Sequence, residues 1–148
     1  MYEFINLTVR DAMTSAPMTT TADTPLREVE RIFDEHDFNG IPVLNDEGEL
    51  IGVVTKFDLL KAFTLTSKTI IPHYDEIMNH PVKAVMLQEP ATVTPDLPLS
   101  RVLQRLVEMR IKSFPVVEGN RLIGIISRED VLHALRRATT HPTSERRS

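Results

Sequence analysis

The sequence is short of several residue types, and each shortage excludes a class of function. None of its 148 residues is cysteine, which excludes a disulfide framework, thiolate catalysis and a zinc–thiolate site. Its 5 glycines form neither a phosphate-binding loop nor a dinucleotide fingerprint. No apolar run approaches the ~18 residues of a membrane span, and no basic-then-apolar signal segment opens the chain. We therefore expect a cytoplasmic protein without a membrane partner.

Catalytic and metal-binding signatures are also missing. No Ser/His/Asp order and no acid–base pair is recognisable, so we predict no catalytic residues, no metal site and no enzymatic activity. The formal net charge of −4 argues against a general nucleic-acid binder. The charge is uneven, at −7 over residues 1–63 and +3 over residues 64–148. The second half is therefore the better host for an anionic ligand.

What the sequence does contain is an internal repeat. Residues 17–26 return as residues 90–99, and Ile41-Pro42-Val43 returns as Phe114-Pro115-Val116, both at a spacing of 73. Residues 52–58 return as residues 124–130 at a spacing of 72. Self-similarity at a fixed period indicates a duplicated structural unit. We place repeat 1 at residues 6–66, a linker at 67–80, repeat 2 at 81–137 and a disordered tail at 138–148.

Each repeat has the pattern of an α+β unit with a mixed sheet. An amphipathic helix, an apolar strand, a turn, a second apolar strand and a final helix follow one another in both copies. Gly119-Asn120 predicts a two-residue hairpin turn, tighter than the turn at residues 46–48, which accounts for the change of spacing. Tyr74–Met78 could form a helical turn in the linker.

The sharpest motif is Gly-apolar-apolar-Thr/Ser-x-x-Asp, which occurs at residues 52–58 and 124–130. In one interpretation Thr55 with Asp58, and Ser127 with Asp130, form capping boxes at helix starts. In the other they form a phosphate and ribose site, because a helix start attracts anions and a carboxylate can accept two hydrogen bonds from a diol. The glycine would then let a ligand approach the strand backbone. Duplication is compatible with both interpretations.

In this order, and twice, these segments resemble a tandem pair of cystathionine-β-synthase (CBS) domains, also called a Bateman module. The resemblance covers residues 6–137 and includes Val9-Arg10-Asp11-Ala12-Met13-Thr14. It implies two β-α-β-β-α repeats packed with pseudo-twofold symmetry. It also implies clefts between the repeats that bind AMP, ADP, ATP or S-adenosylmethionine as a regulatory ligand, with no cofactor required, and a homodimer formed through the helices that signals to an effector protein.

The resemblance also assigns roles to residues. Asp58 and Asp130 would hold ribose hydroxyls, and Thr55 and Ser127 would contact ribose or phosphate. Two segments would line the base pocket: Asn39, Gly40, Ile41 and Pro42 in repeat 1, and Lys112, Ser113, Phe114 and Pro115 in repeat 2. Thr19, Thr21, Thr92 and Thr94 would form the pocket wall of the opposite repeat.

The two sites are expected to differ. Lys112 and Arg128 give the second motif one more cation than Asn39 and Lys56 give the first, which predicts stronger binding of phosphorylated ligands there. The last helices carry surplus apolar residues, Leu59, Leu60 and Phe63 or Val131, Leu132 and Leu135, which favour an interface. Two alternatives remain open: a structural dimeric adaptor with empty clefts, and a nucleotide-processing enzyme.

Overall fold

The computed structural model describes residues 3–64 and 73–140. The first part of the predicted linker, residues 67–72, and most of the predicted tail, residues 141–148, lie outside the described residues. The α-helices are α1 (Val9–Ala12), α2 (Leu26–Glu35), α3 (Lys56–Thr64), α4 (Tyr74–Met78), α5 (Leu99–Met109) and α6 (Arg128–Thr140). The strands are β1 (Thr14–Ser15), β2 (Thr20–Thr21), β3 (Ile41–Leu44), β4 (Leu50–Val54), β5 (Leu87–Gln88), β6 (Ser113–Glu118) and β7 (Arg121–Ser127).

The chain folds as two compact units, of which one is a continuous stretch and the other combines two segments that are far apart in the sequence. Unit 1 comprises residues 1–17 and 91–148, and unit 2 comprises residues 18–90. The first segment of the chain therefore belongs with the second set of long helices and strands. The boundaries of these units differ from the boundaries of the two sequence repeats. The repeats describe which segments of the sequence are similar, and the units describe which segments pack together.

Unit 1 contains a three-stranded sheet in the order β1-β7-β6. Strand β1 pairs antiparallel with β7, with Thr14 opposite Ile125 and Ser15 opposite Gly124. Strands β6 and β7 form a hairpin in which Glu118 is opposite Arg121. Gly119 has a φ of +64° in the intervening turn, a conformation that glycine adopts at little cost. The predicted two-residue hairpin is confirmed.

Unit 2 contains a four-stranded sheet in the order β2-β3-β4-β5. Strand β2 runs parallel to β3, while β4 pairs antiparallel with both β3 and β5. The contact of β5 with β4 corresponds to that of β1 with β7, since Gly52 is opposite Gln88. Each sheet is thus completed by a two-residue strand that precedes or follows the other strands of that sheet in sequence. The mixed helix-and-sheet fold class is confirmed.

The core of each unit is formed by helices packed on the sheet. In unit 1 the buried side chains include Leu99, Val102 and Leu106 of α5, spaced three and four residues apart, so that they share one helix face. In unit 2, Leu26 and Val29 of α2 are fully buried in the corresponding way. Among the described residues, no helix is long and apolar enough to cross a membrane.

Candidate functional site

The first motif places a carboxylate against the start of α3. Oδ2 of Asp58 accepts hydrogen bonds from the Thr55 backbone N–H at 2.8 Å and from the Thr55 hydroxyl at 3.0 Å. The Asp58 N–H donates in return to the Thr55 hydroxyl oxygen at 3.3 Å. The second carboxylate oxygen, Oδ1, lies 3.0 Å from Lys61 Nζ. Asp58 is 5% exposed, and its charge is held by three donors that come from Thr55 and Lys61.

The second motif repeats this arrangement at the start of α6, with a different partner for the second oxygen. Oδ2 of Asp130 accepts from the Ser127 backbone N–H at 2.9 Å, and the Asp130 N–H donates to the Ser127 hydroxyl oxygen at 3.2 Å. Oδ1 accepts from the hydroxyl of Thr14 in β1 at 3.3 Å. The strand that completes the sheet therefore reaches the motif carboxylate.

The capping interpretation of both motifs is thus correct as far as it goes, and it leaves room for the other interpretation. An ionised carboxylate offers about four acceptor positions on two oxygens. The cap occupies Oδ2, while Oδ1 is held by one side chain, Lys61 or Thr14, that can move or share the oxygen. A ligand with two neighbouring hydroxyl groups could therefore bind to Asp58 or Asp130 without opening the helix cap.

The motif glycines have a purely structural explanation. A β-carbon at Gly52 would lie 2.8 Å from the Met86 sulfur and 2.9 Å from the Leu87 carbonyl oxygen. One at Gly124 would lie 2.8 Å from both the Met13 sulfur and the Thr14 carbonyl oxygen. The space left by each glycine is taken by the neighbouring short strand, so the expectation that it admits a ligand is wrong on this side of the backbone.

The segments before each proline do come next to the motifs. In unit 2, a β-carbon at Gly40 would lie 3.3 Å from the Thr55 methyl group. In unit 1, Ser113 is opposite Ser127 in the hairpin, and the Arg128 N–H donates to the Lys112 carbonyl oxygen at 3.0 Å. Both segments therefore adjoin the hydroxyl residue that directly precedes α3 or α6.

The apolar members of these segments are used by the core. Ile41 and Phe114 are 0% and 1% exposed and lie in the two buried clusters. Pro42 and Pro115 are buried in the strands β3 and β6. These buried side chains stabilise the sheets. That the segments line a base pocket stays a prediction, and it now concerns their backbone groups and the half-buried Asn39.

The two cations expected at the second motif have different surroundings. Lys112 is exposed. The Arg128 guanidinium donates through Nε to the Ile111 carbonyl oxygen at 2.9 Å and lines a groove between α5 and α6. The predicted preference for phosphorylated ligands at this motif stays a prediction, and the position of Arg128 gives it no added support.

The pocket-wall threonines lie at the edge of each sheet. Thr20 and Thr21 form β2, and the Thr21 and Thr24 hydroxyl oxygens are 2.8 Å apart. Thr19 and Thr92 are half-buried, whereas Thr21 and Thr94 are exposed. Thr19 and Thr21 belong to unit 2, and Thr92 and Thr94 belong to unit 1. Their assignment to a pocket wall stays a prediction.

Sequence reasoning missed two residues of the sites, Lys61 and Thr14. Lys61 follows Asp58 by three positions on a helix, a spacing that predicts contact, so the sequence contained its signal. Thr14 precedes Asp130 by 116 residues, and no local pattern connects them. At the repeat spacing, His133 stands where Lys61 is and Leu87 stands where Thr14 is, so neither partner is repeated.

Comparisons with known proteins agree with this architecture. A crystal structure of CBSX2 in complex with AMP has a TM-score of 0.78 and 28% identity, and the match covers 90% of this chain and 98% of that one. The CBS domain pair of MJ0100, in complex with 5′-methylthioadenosine and S-adenosyl-L-methionine, has a TM-score of 0.71 over 87% of this chain and 95% of that one. At 23% identity, the second likeness concerns the fold alone.

Curated relatives include much longer proteins. L-aspartate semialdehyde sulfurtransferase of Methanocaldococcus jannaschii is 29% identical over 124 residues, which are 83% of this chain and 22% of that relative. The chain thus spans about a fifth of that enzyme. The CBS domain family model matches residues 9–65 and 82–137. The chain belongs to the CBS domain family and contains two copies of the domain.

Proposed function

We propose that this protein is a regulatory module that binds an adenosine-containing ligand through the carboxylates of Asp58 and Asp130. The observation that carries the proposal is that the two oxygens of each carboxylate have different partners. Oδ2 is fixed by the helix cap, and Oδ1 is held by a single side chain. The binding of AMP by CBSX2, which is 28% identical, supports an adenosine compound as the ligand.

A ribose suits this geometry because its 2′- and 3′-hydroxyl groups are adjacent donors. Hydrogen bonds to a charged group contribute about 1.5–3 kcal/mol each, and capping keeps the carboxylate in place before the ligand arrives. The hydroxyls of Thr55 and Ser127 lie within the same helical turn and can bond the ribose or a phosphate. The ligand is AMP, ADP, ATP or S-adenosylmethionine, and a diol is common to all of them.

Signalling would follow from linkage. A ligand that binds one arrangement of the protein more tightly than another shifts the population toward the first, and a partner that distinguishes the two arrangements reads the change. The residues around Asp58 and Asp130 are occupied with holding a helix start, which suits binding without chemistry. The protein is proposed not to be an enzyme, and to act as a homodimer on an effector protein.

Binding of AMP by calorimetry, with Asp130→Asn and Asp58→Asn as variants, tests the proposal. Asparagine keeps the size of the side chain but loses the charge, so each variant should lose at least about tenfold in affinity at its own motif. The matched control is Asp11→Asn, because Asp11 caps α1 through Thr8 in the same way, at 2.8 Å, outside both motifs. It should bind AMP as the unmodified protein does.

The ligand side of the contact is tested with 2′-deoxy-AMP, which lacks one of the two hydroxyl groups and should bind more weakly than AMP. If neither AMP, ATP nor S-adenosylmethionine binds, the structural adaptor is the better description. If AMP binds equally to all three Asp→Asn variants, the carboxylates are capping groups only. Consumption of ATP that Asp58→Asn or Asp130→Asn abolishes would indicate an enzyme.

A further inference from the structure

The helical face of unit 1 carries an apolar groove that the candidate site does not use. The groove lies between α5 and α6 and has a volume of about 310 Å³, which is at the lower end of the range for small-molecule pockets. Val107 and Leu132 in its wall are 68% and 57% exposed. Its other apolar side chains are Leu103, Leu106, Val131 and Leu135. Exposed apolar side chains gathered at one groove indicate a binding surface.

Unit 2 shows what covers the corresponding surface there. At the repeat spacing, Glu30 stands where unit 1 has Leu103. Phe63 stands where unit 1 has Leu135. The ring of Tyr74 stacks on Phe63, with ring centroids 5.8 Å apart, and its hydroxyl donates a hydrogen bond to Glu30. A single aromatic ring from α4 thus lies on the two positions that line the groove in unit 1.

A second position of the groove is also bulkier in unit 2. Phe33 stands where unit 1 has Leu106. Nζ of Lys56, which stands where unit 1 has Arg128, lies 5.8 Å from the centroid of the Phe33 ring. Among the described residues, those that line the groove of unit 1 include no aromatic side chain. Compared with unit 2, the groove therefore lacks a group about the size of an aromatic ring.

Two cations lie at the same end of the groove. Arg110 is the exposed residue that caps the C-terminus of α5, and Arg128 begins α6. The Arg128 Nε–H donates to the carbonyl oxygen of Ile111, the residue after Arg110, at 2.9 Å. Within the part of the chain that the structure describes, neither arginine forms an ion pair. Guanidinium groups bind carboxylates through strong, often bidentate hydrogen bonds, so this end of the groove suits an anion.

We propose that the groove binds a small hydrophobic carboxylate. The apolar part of the ligand, an aromatic ring or a branched alkyl chain, lies against Leu103 and Leu135, on the positions that the Tyr74 ring covers in unit 2. The carboxylate meets the two guanidinium groups at the other end. Because unit 1 has Leu103 where unit 2 has Glu30, no acceptor is available for a hydroxyl there, and an unsubstituted ring fits better than a phenol. The site uses unit 1 alone and is tested without nucleotide.

The distance between the two ends of the groove selects the probe. Leu103 and Arg110 are separated by seven positions of the chain, which corresponds to about 10 Å along a helix. The probe is 4-phenylbutyrate, in which a short alkyl chain joins a phenyl ring to a carboxylate. Two comparison compounds each lack one part of it: 4-phenylbutan-1-ol has no charge, and butyrate has no ring.

Titration of the full chain with these compounds, followed by backbone amide NMR, tests the proposal. The amide signals of α5 and α6 should shift with 4-phenylbutyrate. The alcohol should bind at least about tenfold more weakly, because it loses the charge-assisted bonds to the arginines. Butyrate should also bind at least about tenfold more weakly, because it buries no ring.

Variants of the groove assign the contacts. Arg110→Gln should weaken the binding of 4-phenylbutyrate about tenfold and leave the binding of the alcohol unchanged. Val107→Asp introduces the acid that unit 2 has at this position, Asp34, and should weaken 4-phenylbutyrate at least as much, because like charges repel. The matched controls, Arg101→Gln on α5 and Lys56→Gln in unit 2, do not line the groove and should bind the probe normally. Far-UV circular dichroism confirms that every variant is folded.

Four results would overturn the proposal. The first is the absence of shifts in α5 and α6, and the second is equal affinity for the acid and the alcohol or an unchanged affinity in Arg110→Gln. The third is a probe affinity that falls as the protein concentration is raised, which would mean that a second copy of the chain occupies the groove. The fourth is shifts confined to the residues around Asp58 and Asp130, which would place the probe at the candidate site instead.

Discussion

Replacing Gly124 by alanine should disturb both the sheet of unit 1 and its candidate site. A β-carbon there would lie 2.8 Å from the Met13 sulfur and 2.8 Å from the Thr14 carbonyl oxygen. The methionine side chain can rotate away, but the carbonyl belongs to β1, whose Ser15 is opposite Gly124. The strand itself must therefore move.

The loss of stability in Gly124→Ala follows from the clash of the new β-carbon with the backbone of β1. An extra carbon in a packed site that forces the backbone to shift typically costs 1–3 kcal/mol, so we expect a loss of about 2 kcal/mol in the free energy of unfolding. For a chain of this length, that lowers the melting temperature by about 6 °C. Because Thr14 also donates to Asp130 at 3.3 Å, a shifted β1 should change ligand affinity at that motif as well.

Urea denaturation and AMP calorimetry measure the two effects. Gly119→Ala is the matched control, because Gly119 has a φ of +64° and no heavy atom lies within 4 Å of its would-be β-carbon. Backbone strain should cost it about 1 kcal/mol without affecting AMP binding. If Gly124→Ala is as stable as the unmodified protein, or less costly than Gly119→Ala, the short strand does not hold its position against β7 as argued.

The other side chains around the motifs give further expectations. Lys61→Met removes the cation beside Asp58 Oδ1 but keeps an unbranched side chain. Because the ligand no longer has to displace an ammonium group, calorimetry should show AMP binding several-fold more tightly at that motif. Weaker binding would mean that Lys61 contacts the ligand itself. Tyr74 donates a hydrogen bond to Glu30, which together with burial raises the pKa of the Tyr74 hydroxyl. Its folded-state pKa is then above its unfolded value of about 10, so this contact stabilises the fold below that pH and the contribution is lost as the pH rises through the folded value. The difference in unfolding free energy between the unmodified protein and Tyr74→Phe should accordingly be largest near neutral pH and shrink above about pH 10, and a difference that does not vary with pH would refute it.

Local features of this protein were predictable from its sequence. The repeat is visible by comparing the sequence with itself, without any structure. The two-residue turn at Gly119 and the pairing of Thr55 with Asp58 and of Ser127 with Asp130 involve residues close together in the chain. Periodicity, turn chemistry and helix capping depend on such short separations. The order of the motifs was also enough to indicate the family, which the family model confirms.

Other features were decided only by the tertiary structure. The pairing of β1 with β7 brings Thr14 to Asp130 and fills the space at Gly124. The pairing of Thr14 with Ile125, far apart in the chain, depends on which sheet edge is available after the core has packed, and a two-residue strand carries too little pattern to reveal its partner. From the sequence alone, a closely approaching ligand was one explanation for the motif glycines. In the fold, a neighbouring short strand takes the space that a β-carbon would need.

The distribution of charge shows both contributions. The sequence by itself determined that one part of the chain is acidic and another basic, because composition requires no structure. Only the fold decided which of these charges share a surface, since it turned Leu99, Val102 and Leu106 of α5 toward the core and left Val107 and Arg110 beside the groove. Helix geometry fixes which residues share a face, and packing against the sheet decides which face is buried.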